Sequence, residues 1–295
     1  MNPISSATLR LVVEQLAPAC GPQVDILGSN QRRLEHAARR HAEADLVVFP
    51  ELALTGYASG DEAQTLALPL DGPLPLALAP DSPAVAFGLI ERGRDELVYN
   101  AGVVMDDRRI LARHRKVYLP TYGIFDEGRT FGRGRGPLRP FELRGWRAGL
   151  LVCEDLWHPA LPYLLALREV DVLVVLAAAP GRGPSPDPEL HPLFGSAARW
   201  DLIARSTALL HGVWVVVANR TGNEAGHTFA GGSIVVNPSG DVVARAPQGE
   251  EATLEHVLEK SAVRCARSDF SHLRDEDAAY THRELGRILA EGESA

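Results

Sequence analysis

The sequence predicts an α/β layered fold with a mixed sheet, and three observations carry that expectation. Short runs of β-branched residues recur along the chain, amphipathic stretches separate several of them, and some neighbouring runs are joined by turns too short to hold a helix. Val98 to Met105 and Ile110 to His114, joined by Asp106-Asp107-Arg108, read as such a hairpin, so the sheet is not purely parallel.

Taken in order, Leu9 to Leu16 reads as the first strand. Ile26 to Glu43 sets Leu27, Leu34, Ala37, Ala38 and His41 among Arg and Glu, the spacing of an amphipathic helix, and leads into a short strand at Asp45 to Phe49. Further strands are expected at Val85 to Ile90, Val98 to Met105, Ile110 to His114, Arg147 to Val152 and Val172 to Leu176. Three more follow at Val213 to Asn219, Ser233 to Val236 and Val242 to Ala246. Helices are expected at Pro159 to Glu169 and Ser196 to His211, each between two buried strands. Leu68 to Pro83, Gly128 to Pro140 and Ala179 to Pro192 are rich in Pro or Gly and read as surface loops. No repeat or long linker is visible, so residues 1–250 read as one domain. After Glu250 the composition turns charged and weakly helical. Residues 251–295 read as a tail of the same domain that adds no further strand and packs on the body or on a partner in a dimer.

The chain has 295 residues, 45% hydrophobic and 23% charged, which excludes wholesale disorder and fibre. A formal net charge of -8 opposes binding to nucleic acid or to anionic membranes. The longest apolar run, Val172 to Ala179, falls far short of the roughly 18 residues of a membrane helix. Met1 to Arg10 lacks a basic region followed by an apolar one, and three cysteines cannot form a full disulfide set, so the cytoplasm is the expected compartment.

Three strand ends carry reactive side chains. Val47-Val48-Phe49-Pro50-Glu51 ends on a carboxylate, Arg113-His114-Arg115-Lys116 on an amine and Leu150-Leu151-Val152-Cys153 on a thiol. A thiol attacks an amide carbonyl as thiolate, which needs a proton acceptor such as Glu51 and a cation such as Lys116. The same ammonium can hold the oxyanion, and the backbone N–H of Glu154 is a second candidate donor. Cys20 and Cys265 read as ordinary packing cysteines. The histidines show no His-x-x-x-His spacing, so neither metal nor cofactor is expected. His158 fits helix capping better than a Cys-His dyad, and the Arg-rich stretch Arg129 to Arg139 reads as a solvated loop, with anion or partner contact the lesser reading.

Phe49-Pro50-Glu51-Leu52-x-Leu54-Thr55-Gly56-Tyr57, Lys116-Val117-Tyr118-Leu119-Pro120 and Cys153-Glu154-Asp155-Leu156-Trp157 resemble, in order and spacing, the three signature blocks of the nitrilase, or carbon-nitrogen hydrolase, superfamily. Tyr122-Gly123-Ile124-Phe125-Asp126-Glu127, Phe229-x-Gly231-x-Ser233 and Pro238-x-Gly240 add to the likeness, which runs from about Leu9 to Ala246. The Cys-Glu-Asp-Leu-Trp form is most similar to the glutaminase domain of glutamine-dependent NAD synthetases. The resemblance implies a four-layer α-β-β-α sandwich that forms a homodimer or higher oligomer. It further implies Cys153 as nucleophile, Glu51 as general base, Lys116 as oxyanion stabiliser and Glu127 as a second carboxylate that orients substrate or water. Tyr57, Tyr122, Glu154, Trp157 and Arg182 are the candidate substrate contacts. Two departures stand out: the sequence holds no Ser-Gly-Gly-x-Asp-Ser pyrophosphate loop, and it reads Ala177-Ala178-Ala179-Pro180 where the synthetases often have Asn-Ala-Ser-Pro. The first reading is therefore a thiol amidohydrolase acting on a small linear amide. A free-standing glutaminase that feeds a separate synthetase, a nitrilase and a noncatalytic binding module are the alternatives.

Overall fold

The structure, a computed structural model, describes residues 7–21, 24–57, 60–123 and 125–292. Residues 1–6 of the segment read for a leader, Ile124 of the Tyr122 to Glu127 block, and 293–295 of the tail lie outside the described residues. The chain opens with β1 (Thr8–Gln15), α1 (Ile26–Arg40), β2 (Leu46–Val48), α2 (Gly60–Leu66) and the two-residue β3 (Leu68–Pro69). An antiparallel meander follows in β4 (Ala84–Arg92), β5 (Val98–Asp106) and β6 (Arg109–Arg115), then α3 (Glu127–Thr130), β7 (Phe141–Leu143) and β8 (Trp146–Val152). After a 3-10 turn at Cys153–Trp157 come α4 (Ala160–Ala166), β9 (Val172–Ala177), α5 (Ser196–His211) and β10 (Trp214–Asn219). The last third adds β11 (Thr221–Glu224), β12 (His227–Ala230), β13 (Ile234–Val236), β14 (Val242–Arg245), β15 (Ala252–Glu259), α6 (Lys260–Asp269) and α7 (Ala278–Gly292).

Two mixed sheets form. One has the order β15-β1-β2-β4-β5-β6 with β3 beside β4, and the other has the order β14-β13-β10-β9-β8-β7. In the first, β1, β2 and β4 are parallel neighbours; in the second, β8, β9 and β10 are. Val172 to Ala177 is buried on both faces, which is why β9 reads as a continuous apolar run with no alternation. The sheets face each other through Leu11, Val48, Val104, Leu150, Val174 and Val216. On the outer face of the first, Leu34, Ala37 and Ala38 of α1 cover Val47, Val85 and Phe87; on the outer face of the second, Leu165 of α4 and Ala204 and Ala208 of α5 cover Val175 and Val215. Each sheet can bury a second apolar face only under helices, and the result is the α-β-β-α sandwich.

The expectation of no strand after Glu250 is corrected. Ala252–Glu259 pairs antiparallel with the whole of β1, Thr8 facing Glu259 and Gln15 facing Ala252. Leu254 and Leu258 point into the core while Glu255, Val257 and Glu259 face out, so the period-2 pattern is present but diluted by charge, as befits an edge strand. Trp214 Nε1 donates to Glu259 O at 3.1 Å and fastens the strand to the other sheet. The helical content expected of the tail lies in α6 and α7. No residue of α7 is buried. Three smaller differences are that the helix expected over Pro159 to Glu169 is confined to Ala160–Ala166, that β11 and β12 form a separate hairpin, and that the loops hold the short α3 and β3.

Candidate active site

Glu51 leaves β2 through Pro50 into a tight turn. Leu52 adopts φ 52°, and Gly88 on β4 lies beneath it so closely that a Cβ there would sit 2.1 Å from Leu52 N. Only glycine permits that approach, and it sinks the Glu51 carboxylate entirely beneath the surface. Lys116 continues from β6, its N–H donating to Asn100 O and its carbonyl accepting from Gly134 N, both at 2.8 Å. Glu127 opens α3. Lys116 Nζ reaches Glu51 Oε1 and Glu127 Oε1, each at 2.8 Å, and both acids and the ammonium are buried. Asn100 Nδ2 also donates to Glu51 Oε1, at 2.7 Å, and the Tyr57 hydroxyl donates to Glu127 Oε1. Glu51 Oε2 and Glu127 Oε2 have no hydrogen-bond partner among the described residues, which leaves one acceptor on each acid for a reacting group.

Cys153 ends β8 at φ 45°, a left-handed conformation that costs a non-glycine residue about 1 kcal/mol or more and turns the chain sharply into the 3-10 turn. Strain of this kind at a strand-to-helix elbow projects one side chain from the end of the strand. Burial pushes the thiol well above its ordinary value and the Glu51 charge adds to this, while Lys116 and a hydrogen bond from the Ala178 backbone pull the other way. The resting sulfur is therefore protonated, and its proton must leave as the new bond forms. For Lys116, burial acts to lower the pKa, but Glu51 and Glu127 overcome it and hold the ammonium charged. Glu127 is pushed up to about 7 by burial, against the pull of Lys116 and with the help of Glu51. Two acids share one ammonium here, so the cation cannot fully offset the burial of the Glu127 carboxyl.

The rim is formed by different residues. The Tyr122 hydroxyl donates to Glu154 Oε2 at 2.8 Å, and the Arg182 guanidinium lies against Gly123. Tyr122 is 55% exposed. Trp157 turns away into packing, edge to face on Trp200 with centroids 5.6 Å apart. His158 closes the 3-10 turn with its backbone N–H, which donates to Asp155 O at 3.4 Å, and its ring stacks flat on Tyr118 with centroids 3.4 Å apart. Ser185 is engaged with Asp187 in its own turn. The Arg-rich loop runs along the surface, with Arg129 paired to Asp126. Ala179 N donates to Asn219 Oδ1 at 2.8 Å, so the Ala177 to Ala179 segment offers neither a polar side chain nor a free amide at 179.

Four polar residues of the neighbourhood were not picked out from the sequence: Asn100, His114, Asp155 and Asn219. A buried Asn within an apolar strand, as in Val98-Tyr99-Asn100-Ala101, was a usable signal, because such a group is retained only where it is hydrogen-bonded. Asp155 lay inside a recognised block, but three of its partners, His114, Val117 and Tyr118, lie on or just after β6 of the other sheet.

With this geometry in place, comparison with known proteins is informative. The carbon-nitrogen hydrolase family model matches residues 8–267. The chain belongs to the carbon-nitrogen hydrolase family. Among curated members it is 33% identical to a glutamine-dependent NAD(+) synthetase of Rhodobacter capsulatus, over 86% of this chain and 44% of that protein. An (R)-stereoselective amidase of a Pseudomonas species is 29% identical, over 88% of this chain and 90% of that protein. The chain spans less than half the length of the synthetases that it matches, and nearly the whole length of the amidase. Among solved structures, a carbon-nitrogen hydrolase from Helicobacter pylori G27 shares the fold with a TM-score of 0.76 at 23% identity, covering 94% of this chain and 98% of that one. Family membership thus agrees with the sandwich and with a carbon-nitrogen hydrolase that has amidases among its relatives. No helix among the described residues is long and apolar enough to cross a membrane.

Proposed function

We propose that the protein is a thiol amidohydrolase that cleaves the carbon-nitrogen bond of a small linear amide through a Cys153 thioester. The observation that carries this reading is the buried ammonium of Lys116 bridging Glu51 and Glu127 at 2.8 Å beside a cysteine held at φ 45°. Cys153 Sγ attacks the carbonyl carbon while its proton passes to Glu51 Oε2. The oxyanion is stabilised by Lys116, which has a third N–H beyond the two given to the acids, and by the Glu154 backbone amide. Glu51 returns the proton to the leaving nitrogen as the carbon-nitrogen bond breaks, releasing ammonia or an amine. Water then attacks the thioester, Glu51 taking its proton, and as the carbon-sulfur bond breaks Glu51 passes that proton to the sulfur, releasing the carboxylic acid and regenerating the thiol. Glu127 orients substrate or water through its unpartnered oxygen.

The test is a panel of amides, carbamoyl compounds and nitriles assayed for ammonia release, with acid quenching and mass spectrometry to trap an acyl group on Cys153. An acyl adduct on Cys153 is expected; turnover with no adduct at that residue under any quench would sink the mechanism. A nitrile that outperforms every amide would make the enzyme a nitrilase.

A free-standing glutaminase is the second reading, favoured by the presence at the rim of Glu154, held by the Tyr122 hydroxyl, and of Arg182 beside Gly123, one charge of each sign for an α-amine and an α-carboxylate, and by likeness to the synthetases. Lack of a donor at Ala179 weighs against it. A homodimer belongs to the same proposal, supported by Leu202, Leu209 and Leu210 on α5 and Leu285, Ile288 and Leu289 on α7, all exposed. Deleting the chain after Asp269 should lower the mass measured by light scattering, since α7 then goes while β15 stays.

A further inference from the structure

The candidate catalytic groups stand on two different sheets. Glu51 and Lys116 follow β2 and β6 of one sheet, and Cys153 follows β8 of the other. Between the sheets lies an apolar core, Leu11 and Val104 against Leu150 and Val174, and such contact is non-directional: it holds the sheets together without fixing how far one slides on the other. The distance from Lys116 Nζ to the sulfur needs a directional tie as well.

Asp155 supplies one. It stands two residues after Cys153, and its carboxylate is completely buried. Oδ1 accepts from the backbone N–H of Val117 and of Tyr118, both at 3.0 Å. Oδ2 lies 2.7 Å from His114 Nε2 and accepts from Val152 N at 3.3 Å. Three of these four partners, His114, Val117 and Tyr118, flank Lys116 on the chain, and the fourth, Val152, immediately precedes Cys153. The three backbone N–H groups can only donate, so the carboxylate accepts from each of them, and the His114 ring closes the fourth side of the cradle through Nε2. Charge-assisted bonds of this kind are stronger and more directional than neutral ones.

We propose that Asp155, braced by His114, is the positioning residue that sets Lys116 against Cys153 across the two sheets. The proposal rests on the reading of Cys153 as nucleophile and adds a determinant of its geometry. Neither Asp155 nor His114 touches the reacting atoms. A displacement of about 1 Å at a reacting pair can cost on the order of 100-fold in rate, and that is the scale expected here.

Asp155→Asn keeps the shape but turns one acceptor into a donor, so that at least one backbone N–H of the cradle faces an N–H. Its kcat should fall about 100-fold with KM changed less than about threefold, and amide hydrogen exchange at Val117 and Tyr118 should quicken at least about tenfold. His114→Leu, which spares the backbone bonds, keeps the test open if Asp155→Asn does not fold. Its kcat should fall about tenfold, and His114→Gln, able to donate to Oδ2, should exceed it at least about threefold. A melting temperature that falls while the folded fraction keeps wild-type kcat would reduce Asp155 to a structural residue and overturn the proposal, as would unchanged exchange at Val117 and Tyr118. Cys153→Ala distinguishes the two levels. If it is inactive while Asp155→Asn is fully active, only the positioning role falls; if it still turns over, the nucleophile falls and the positioning role with it.

Discussion

Glu51, Lys116 and Glu127 occupy the floor of the site, fully enclosed, with both acids tied to the ammonium at 2.8 Å, whereas Tyr122 and Arg182 stand exposed at its mouth on Pro- and Gly-rich loops, the Tyr122 hydroxyl bonded to Glu154. The difference separates two tasks. Floor residues have their charges fixed by burial and by each other, so a substitution there changes the chemistry and the folding energy together. Mouth residues are exposed, so on the proposed mechanism substitutions there should alter which substrate is accepted and leave the chemistry standing.

The sharpest way to break this contrast is Cys153→Ala, for which we expect at least about a 10⁴-fold loss of turnover, while Cys20→Ala and Cys265→Ala stay within about twofold. A Cys153→Ala variant with substantial activity in a steady-state ammonia assay would erase the distinction altogether. Next is Lys116→Met, which removes the proposed oxyanion donor and strands two buried acids. It should lower kcat by about 10³-fold and destabilise the fold by about 3–5 kcal/mol in urea unfolding. A variant of wild-type stability would show that the acids are not held by the ammonium.

Glu127 sharpens the contrast through pH. Its carboxyl is raised in the folded state from the ordinary 4.5 to about 7, mainly by burial. The folded protein therefore holds this proton more tightly than the unfolded chain does. The associated stability is fully present below pH 4.5 and is lost as pH rises through about 7, a change of about 3 kcal/mol. Glu127→Gln mimics the neutral acid and lacks that dependence, so the stability difference between wild type and variant should change by this amount between pH 4.5 and 8. A constant difference would place the proton elsewhere. At the mouth the effects are smaller. L-glutamine should fall at least about tenfold below the best small amide in kcat/KM, about 1.4 kcal/mol, and Ala179→Ser should narrow the gap. Glutamine ranking first in the panel would favour the glutaminase reading.

Much of this was legible in the sequence, for a physical reason. A reactive polar residue ending a run of β-branched ones is visible on one line of text, as at Val48-Phe49-Pro50-Glu51 and Leu151-Val152-Cys153, and the parallel strands that carry these ends are apolar throughout. What the text hides is pairing between distant segments. Asn100, His114 and Asp155 acquire meaning only when β5, β6 and β8 are brought together, and Ala252–Glu259 looked like a charged tail because an edge strand shows half of its residues to water. His158 was legible as a cap from its neighbours along the chain, but the stacking of its ring on Tyr118 across the fold was not.

The pairing of β1 with β15 also sets the order in which the protein can be completed. Ribosomes deliver Thr8 to Gln15 first, and at about 5–20 residues per second the complementary Ala252–Glu259 arrives tens of seconds later. Throughout that interval β1 has β2 on one side and bare N–H and C=O groups on the other, an open edge that any extended chain nearby can occupy. Closing the sheet also means bringing together segments almost a full chain length apart, the kind of contact that slows folding most. A chain released before Glu259 would carry every residue of the candidate site and still leave its first strand unpaired on one side, so closing the edge of this sheet waits on a segment about a hundred residues downstream of Cys153.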